Sequence, residues 1–503
     1  MRLPYPERIS LVGTFYFGLL LCGIQLAQGT DPIFSLACFA FVLMAALAFN
    51  VGGGFTRPSG GYVFFYSTLT VIIGLIWKAV LGEPADSNLL NPLLTISVFA
   101  FGITMMFVSV YLSTKLTTKR AILGRMVTDA NMQTATVGCL VAGILMMVVG
   151  TLVSGGNGSV ISALNQLNRF FPMAIILGVI HSIRRSGGTS SVNLPVLLAG
   201  AFTFGMGILG FSKEGIITPF LCWLIAAASQ RYKVSRFQIA GALFGTFFLF
   251  QYLVPYAQYG RTFRAESGSE NFEVSLSLLS NLGYVREQYL ANSGDSYGDD
   301  NAFGYYNTPQ GFFDRLEEFP LDDALIEQTR QFGTKGFYPI IASFQNLVPH
   351  FIWKDKPAIL WGNTYAHEIG ILAEEDESTG ISFSPTAEAF HLMGWMGIFM
   401  VAPCLWLALF TLFDSLCGDV RESPWGLLAI VVFAHMAPEG GITVIPYALG
   451  YVAFGIIFAA VMGAYLMPII GTFFIGPEGI SIRRGAPIRS IENRLHPRVS
   501  SQI

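Results

Sequence analysis

PLLTISVFAFGITMMFVSVYL, residues 92–112, carries no charged side chain. A helix of about 20 apolar residues matches the roughly 30 Å hydrocarbon core of a bilayer. We read the stretch as a membrane-spanning helix. The same reading extends to runs at 9–28, 32–51, 61–82, 135–153, 166–183, 192–210, 214–230, 238–256, 388–413, 425–438 and 443–467, about twelve in all. The run at 425–438 is short and ends at Pro438-Glu439-Gly440-Gly441, so the count lies between 11 and 13. The run at 9–28 follows Arg2 and Arg8 in the manner of a signal peptide. Its length and its continuity with the next run make it an uncleaved first span.

Composition agrees with the runs. Of the 503 residues, 53% are hydrophobic and 12% charged, with mean hydropathy +0.56. Soluble domains carry roughly 25% charged residues, so the apolar excess here must face lipid. The expectation is an all-α polytopic membrane protein. Cysteine usage excludes a disulfide framework. Cys22, Cys38, Cys139, Cys222 and Cys404 lie in apolar runs, Cys417 in a short polar connection, and none in 257–387. No Cys/His cluster has metal-ligand spacing.

Lys and Arg in the connections orient the chain. With a cytoplasmic N-terminus, the inner connections hold Arg57; Lys115, Lys119, Arg120 and Arg125; Arg184 and Arg185; Arg231, Lys233 and Arg236; and Arg421. The organisation is then a membrane region of about nine spans at 1–256, an extracytoplasmic loop at 257–387, three further spans at 388–475, and a basic cytoplasmic tail at 476–503. The loop between spans nine and ten holds nineteen Asp or Glu against eight Lys or Arg. Segments 272–292 and 322–332 have the pattern of amphipathic helices at the interface. Residues 293–312 read as irregular, and 337–353 as a re-entrant or interfacial helix.

Ionisable groups near hydrocarbon cost at least about 2.5 kcal/mol and need a reason to be there. Arg169 opens the sixth span, as an anion ligand or as a snorkelling side chain. Ser212-Lys213-Glu214-Gly215 puts a lysine in an outer turn, against the charge trend, as a ligand or a local Lys–Glu pair. Arg261 and Arg264 lie one turn apart where the ninth span leaves the membrane. Their planar guanidinium groups suit a diphosphate, or else pair with Glu266 or lipid headgroups. Between 349 and 397, Trp353, Lys354, Lys356, Trp361, Asn363, Tyr365 and Ser384 combine flat aromatic faces, cations and polar groups, as saccharide sites do. Glu388 and His391 share one helix face. With His367 they are the candidate proton acceptors, Glu388 having the alternative of a helix N-terminal carboxylate.

The order of parts resembles the bacterial oligosaccharide repeat-unit polymerases, the O-antigen polymerase type within the O-antigen ligase and polymerase superfamily. The residues that carry the resemblance are the Ser212-Lys213 turn, the large loop, Pro349 with Trp353-Lys354-Asp355-Lys356-Pro357 and Gly362-Asn363, and Ser384-Pro-Thr-Ala-Glu388 before Gly394-x-x-Gly397. The resemblance implies a GT-C-like fold in the bacterial inner membrane with both termini cytoplasmic. It implies undecaprenyl-diphosphate-linked oligosaccharide as donor and acceptor, joined on the outer face without cofactor or metal. A chain-length regulator, a flippase and membrane lipid are the implied partners, and nucleic acid is not. Outer arginines would engage the lipid diphosphate. The ligase branch carries a His-Asn pair eleven residues before the first glycine; Phe383 and Ser384 stand there here, which favours polymerase and leaves the base open. The alternatives are a lipid-linked oligosaccharide flippase or transporter, a polysaccharide ligase, and a membrane scaffold.

Overall fold

Several apolar helices are entered through a residue that satisfies free amides of the helix start. Asp31 accepts from Ile33 and Phe34 N–H, Asn91 from Leu94, Asn193 from Val196, and Ser212 from Gly215. Proline follows at the first helical position in the helices from Pro32, Pro58, Pro92 and Pro424, where its missing N–H costs nothing.

The structure, a computed structural model, describes residues 1–476 except 125, 153–167, 264–267, 297–303, 309, 311–312, 354–355, 357–358, 373–374 and 378. Arg264, Lys354 and the basic tail beyond Gly476 therefore lie outside the described residues. Among those described, the protein is 73% helix with no strand. Seven helical stretches are long and apolar enough to cross a membrane: Pro32–Val51, Pro58–Leu81, Pro92–Leu116, Met132–Gly150, Arg236–Arg261, Gly397–Cys417 and Ile445–Ile475. Leu11–Ala27, Leu194–Leu209 and Pro424–Glu439 are shorter apolar helices. The chain is a polytopic, membrane-embedded helical protein.

The Pro92–Leu116 helix is central. It packs against Pro32–Val51 on one side and Ala402–Cys417 on another, while Pro424–Glu439 packs on Pro58–Ser67.

Three expectations for 257–413 change. The run at 388–413 is not one helix. Pro385–Met393 ends at Gly394, and a second helical stretch, Gly397–Cys417, follows. Gly394 has φ +57° and ψ −140°, a backbone setting that side-chain-bearing residues avoid. The amphipathic segment at 272–292 is two helices, Gly268–Ser280 and Leu282–Ser296, both packed on Val254–Arg261. The segment at 322–332 does not turn its acidic face to water. It forms Phe319–Phe332, which packs on Pro385–Met393 and Pro92–Leu116 with Asp322 and Asp323 buried. Its acidic residues face helix-start amides in place of water: Asp323 accepts from Asn91 N–H at 3.1 Å, from Leu90 N–H and from the Thr95 hydroxyl at 2.6 Å.

A second tie fastens the loop further along. Lys78, fully buried near the end of an apolar stretch, pairs with Glu83 at 3.1 Å and donates to Ser87 Oγ at 2.6 Å. Its ammonium lies 4.7 Å from the Tyr305 ring centroid. Tyr305 donates to Ala85 O at 2.6 Å, and Trp77 stacks on Phe313 at 3.6 Å.

Candidate functional site

The Pro385–Met393 helix carries the densest set of buried polar groups, and its start explains their placement. Ser384 caps the helix, accepting from Ala387 N–H at 3.2 Å, while its own N–H donates to Asp322 Oδ1 at 2.9 Å. One turn into the helix, the Glu388 carboxylate turns toward residues 441–443. Its Oε2 accepts from Thr443 N–H at 2.9 Å and its Oε1 from the Thr443 hydroxyl at 2.7 Å. Glu388 is 3% exposed. Gly441, at φ +62°, passes so close that any side chain there would run into the Glu388 carboxylate. The buried Tyr365 hydroxyl lies beside Glu388 and makes no hydrogen bond of good geometry.

His391, one turn further, has partners that define its protons. The Thr329 hydroxyl donates to Leu325 O at 2.8 Å, so it receives from His391 Nδ1–H, also at 2.8 Å. Nε2 then faces Glu368 Oε2 at 3.3 Å. Neither of these two atoms makes a hydrogen bond of good geometry. Lys335 pairs with the other Glu368 oxygen at 2.8 Å. Burial alone would raise the Glu368 carboxyl; the neighbouring His391 and Lys335 outweigh it and hold the group below its ordinary value. The arrangement is a His391–Glu368–Lys335 row, ion-paired between Glu368 and Lys335, beside the Glu388 carboxyl, with the Tyr365 ring 4.8 Å from the imidazole.

The Lys213 turn approaches this cluster through Glu318 and Glu439. Phe211, buried at φ +50°, packs on Tyr256 and Gly260 and holds the turn before Lys213 against the Val254–Arg261 helix. Arg261 Nε donates to Phe211 O at 3.2 Å, so the turn and the arginine are tied together. The Lys213 charge acts on buried Glu318, whose carboxyl burial and neighbouring Glu439 push well above its ordinary value. His435 bridges Glu439 at 3.4 Å and Glu214 at 4.0 Å. The chain from Glu439 to Thr443 therefore runs from the cationic turn to the Glu388 carboxylate. Arg169 stands half-buried before the Phe170–Arg185 helix, its guanidinium without hydrogen bond or ion pair among the described residues.

Other residues singled out by sequence have structural partners. Asn363 Nδ2 donates to Asp376 O at 2.7 Å and Thr379 O at 2.9 Å, and His367 Nε2 donates to Asp376 O at 3.0 Å. Both pin the acidic loop over the Trp361–Glu368 helix. Lys356 Nζ donates to Asn346 O and Val348 O at 2.9 and 2.7 Å. Trp361 stacks on Tyr365 at 6.0 Å, and Trp353 is 38% exposed. Asp322, Thr329, Lys335, Glu368 and Thr443 were not legible as site residues, because their contacts join segments far apart in the chain.

Asp322 gives the cluster a pH dependence. Its Oδ2 is buried without a partner, and burial pushes the carboxyl up to about 7. The unfolded value is near 3.8. The folded state therefore binds the proton more tightly, and the stability this adds is full below pH 3.8 and lost as pH rises through about 7. The melting temperature of the wild type should fall between pH 5 and pH 8, and Asp322→Asn should flatten that slope. Equal slopes would show that Asp322 does not titrate in this range.

Comparison with protein-family models, curated proteins and solved structures returns no match.

Proposed function

We propose that the chain is a membrane glycosyltransferase that polymerises undecaprenyl-diphosphate-linked oligosaccharide repeat units into a surface polysaccharide. In this reading it has about twelve spans of GT-C-like arrangement in the bacterial inner membrane, with both termini cytoplasmic and the loop outside. One observation carries the reading. A buried carboxylate, Glu388, sits under the large loop, and the segment that holds it leads to the Lys213–Arg261 turn.

The chemistry follows from that pairing. An acceptor sugar hydroxyl attacks the anomeric carbon of the donor, and its proton passes to Glu388. The anomeric C–O bond to phosphate breaks, and undecaprenyl diphosphate leaves with the electron pair. Lys213 and Arg261, with Arg169 and Arg264, meet the charge that develops on the diphosphate. The His391–Glu368–Lys335 row keeps the base helix in place. Helix 319–332 packs on the Glu388 helix, and Tyr365 of helix 361–368 lies beside the carboxylate.

Lys213→Ala and Arg261→Ala should each lower chain growth about 10²–10³-fold, the usual cost of removing one donor to a developing charge. Polysaccharide length in cells with verified protein levels reads the effect, with short chains or single repeat units expected. Unchanged long polymer would remove both residues from the mechanism.

A further inference from the structure

At the end of the bundle away from the loop, a cavity of about 740 Å³ opens between the Pro58, Pro92–Leu116, Ala402–Cys417 and Pro424 helix ends. Arg57, Lys119 and Arg120 line it, and none of them forms an ion pair among the described residues. The acidic lining is already engaged. Asp414 accepts from Ser59 N–H at 3.0 Å and the Ser59 hydroxyl at 2.7 Å, and Asp419 is held by Arg421. Glu422 likewise has a partner.

The cavity also meets the start of the Pro424–Glu439 helix at Ser423. Ser423 is 1% exposed, its side chain caps no amide, and its hydroxyl has no hydrogen-bond partner. An unsatisfied buried hydroxyl is uncommon and calls for a ligand or a water. The positive end of a helix dipole, together with guanidinium and ammonium groups outside any ion pair, suits a phosphate. Arg57, Lys119 and Arg120 line one cavity together with Ser423, whose buried hydroxyl is unsatisfied.

We propose that this cavity is a phosphate-binding site, distinct from the Glu388 cluster and taking either a phospholipid headgroup or a free phosphate. Two arms separate the sources. The full chain in neutral detergent is titrated with inorganic phosphate by calorimetry. In parallel, the chain is placed in phosphatidylcholine nanodiscs with or without phosphatidylglycerol, and retained lipid is counted by native mass spectrometry. A free-phosphate site gives saturable one-to-one phosphate binding. A headgroup site gives one retained phosphatidylglycerol and little phosphate binding. In either case Lys119→Gln/Arg120→Gln should weaken binding about tenfold or more, the cost of losing a charge-assisted hydrogen bond. Ser423→Ala removes a hydroxyl that holds nothing in the protein, so it should weaken binding with melting unchanged. Absence of binding in both arms, or equal binding by wild type and both variants, would overturn the proposal.

Discussion

Glu388→Gln should lower repeat-unit transfer about 10²–10⁴-fold, the range expected when a general base is removed, with the protein still folded. The contrast rests on what the amide keeps. Its oxygen can still accept from Thr443 N–H, now 2.9 Å from the carboxylate, and its NH₂ can donate to the Thr443 hydroxyl. What it cannot do is take a proton. Glu388→Ala has a different cost, because it strands the buried Thr443 amide, a loss of about 1–3 kcal/mol. Melting temperature and transfer rate measured together separate the roles. Normal melting with lost transfer assigns chemistry to the carboxylate; full transfer by Glu388→Gln would make it only a brace for residues 441–443.

Asp323→Ala should be the most destabilising change in the loop. One carboxylate serves Leu90 N–H, Asn91 N–H and the Thr95 hydroxyl, and so anchors the Phe319–Phe332 helix to the start of the central Pro92–Leu116 helix. Removing it leaves a buried hydroxyl unpaired, at about 1–3 kcal/mol before relaxation, and two partly buried amides at a smaller cost. Melting should drop by several degrees in detergent, and protease cleavage within the loop should rise. Asp323→Asn, which keeps one acceptor oxygen, should recover part of the loss. Unaltered melting in Asp323→Ala would mean that this helix is not docked in the bundle.

The apolar helices were legible because hydropathy acts locally, and seven of the stretches are long enough to cross a membrane among the described residues. The stretch at 92–112 appears as Pro92–Leu116, and the short run at 425–438 as Pro424–Glu439. Glu388 and His391 were legible through their one-turn spacing in a helix entering the membrane. Their partners were not. Glu368 and Thr329 reach His391, and Thr443 reaches Glu388, across segments that no local pattern links. Lys78 was hidden for the opposite reason: one lysine lowers the mean hydropathy of an apolar run too little to break it, and Glu83 and Tyr305 become visible as its partners only in three dimensions. The acidic face of 319–332 reads as solvated because sequence does not say that open helix-start amides will face it. Asn363 and Lys356, chosen as sugar contacts, are occupied by backbone carbonyls of their own loop.

The most direct test supplies the purified full chain, in vesicles, with lipid-linked repeat units isolated from producing cells that lack the chain. The account predicts a ladder of products, each longer by one repeat unit, with undecaprenyl diphosphate released at every step and no ladder from Glu388→Gln. Lipid-linked units that cross the bilayer with unchanged mass, or a ladder made equally well by Glu388→Gln, would contradict it.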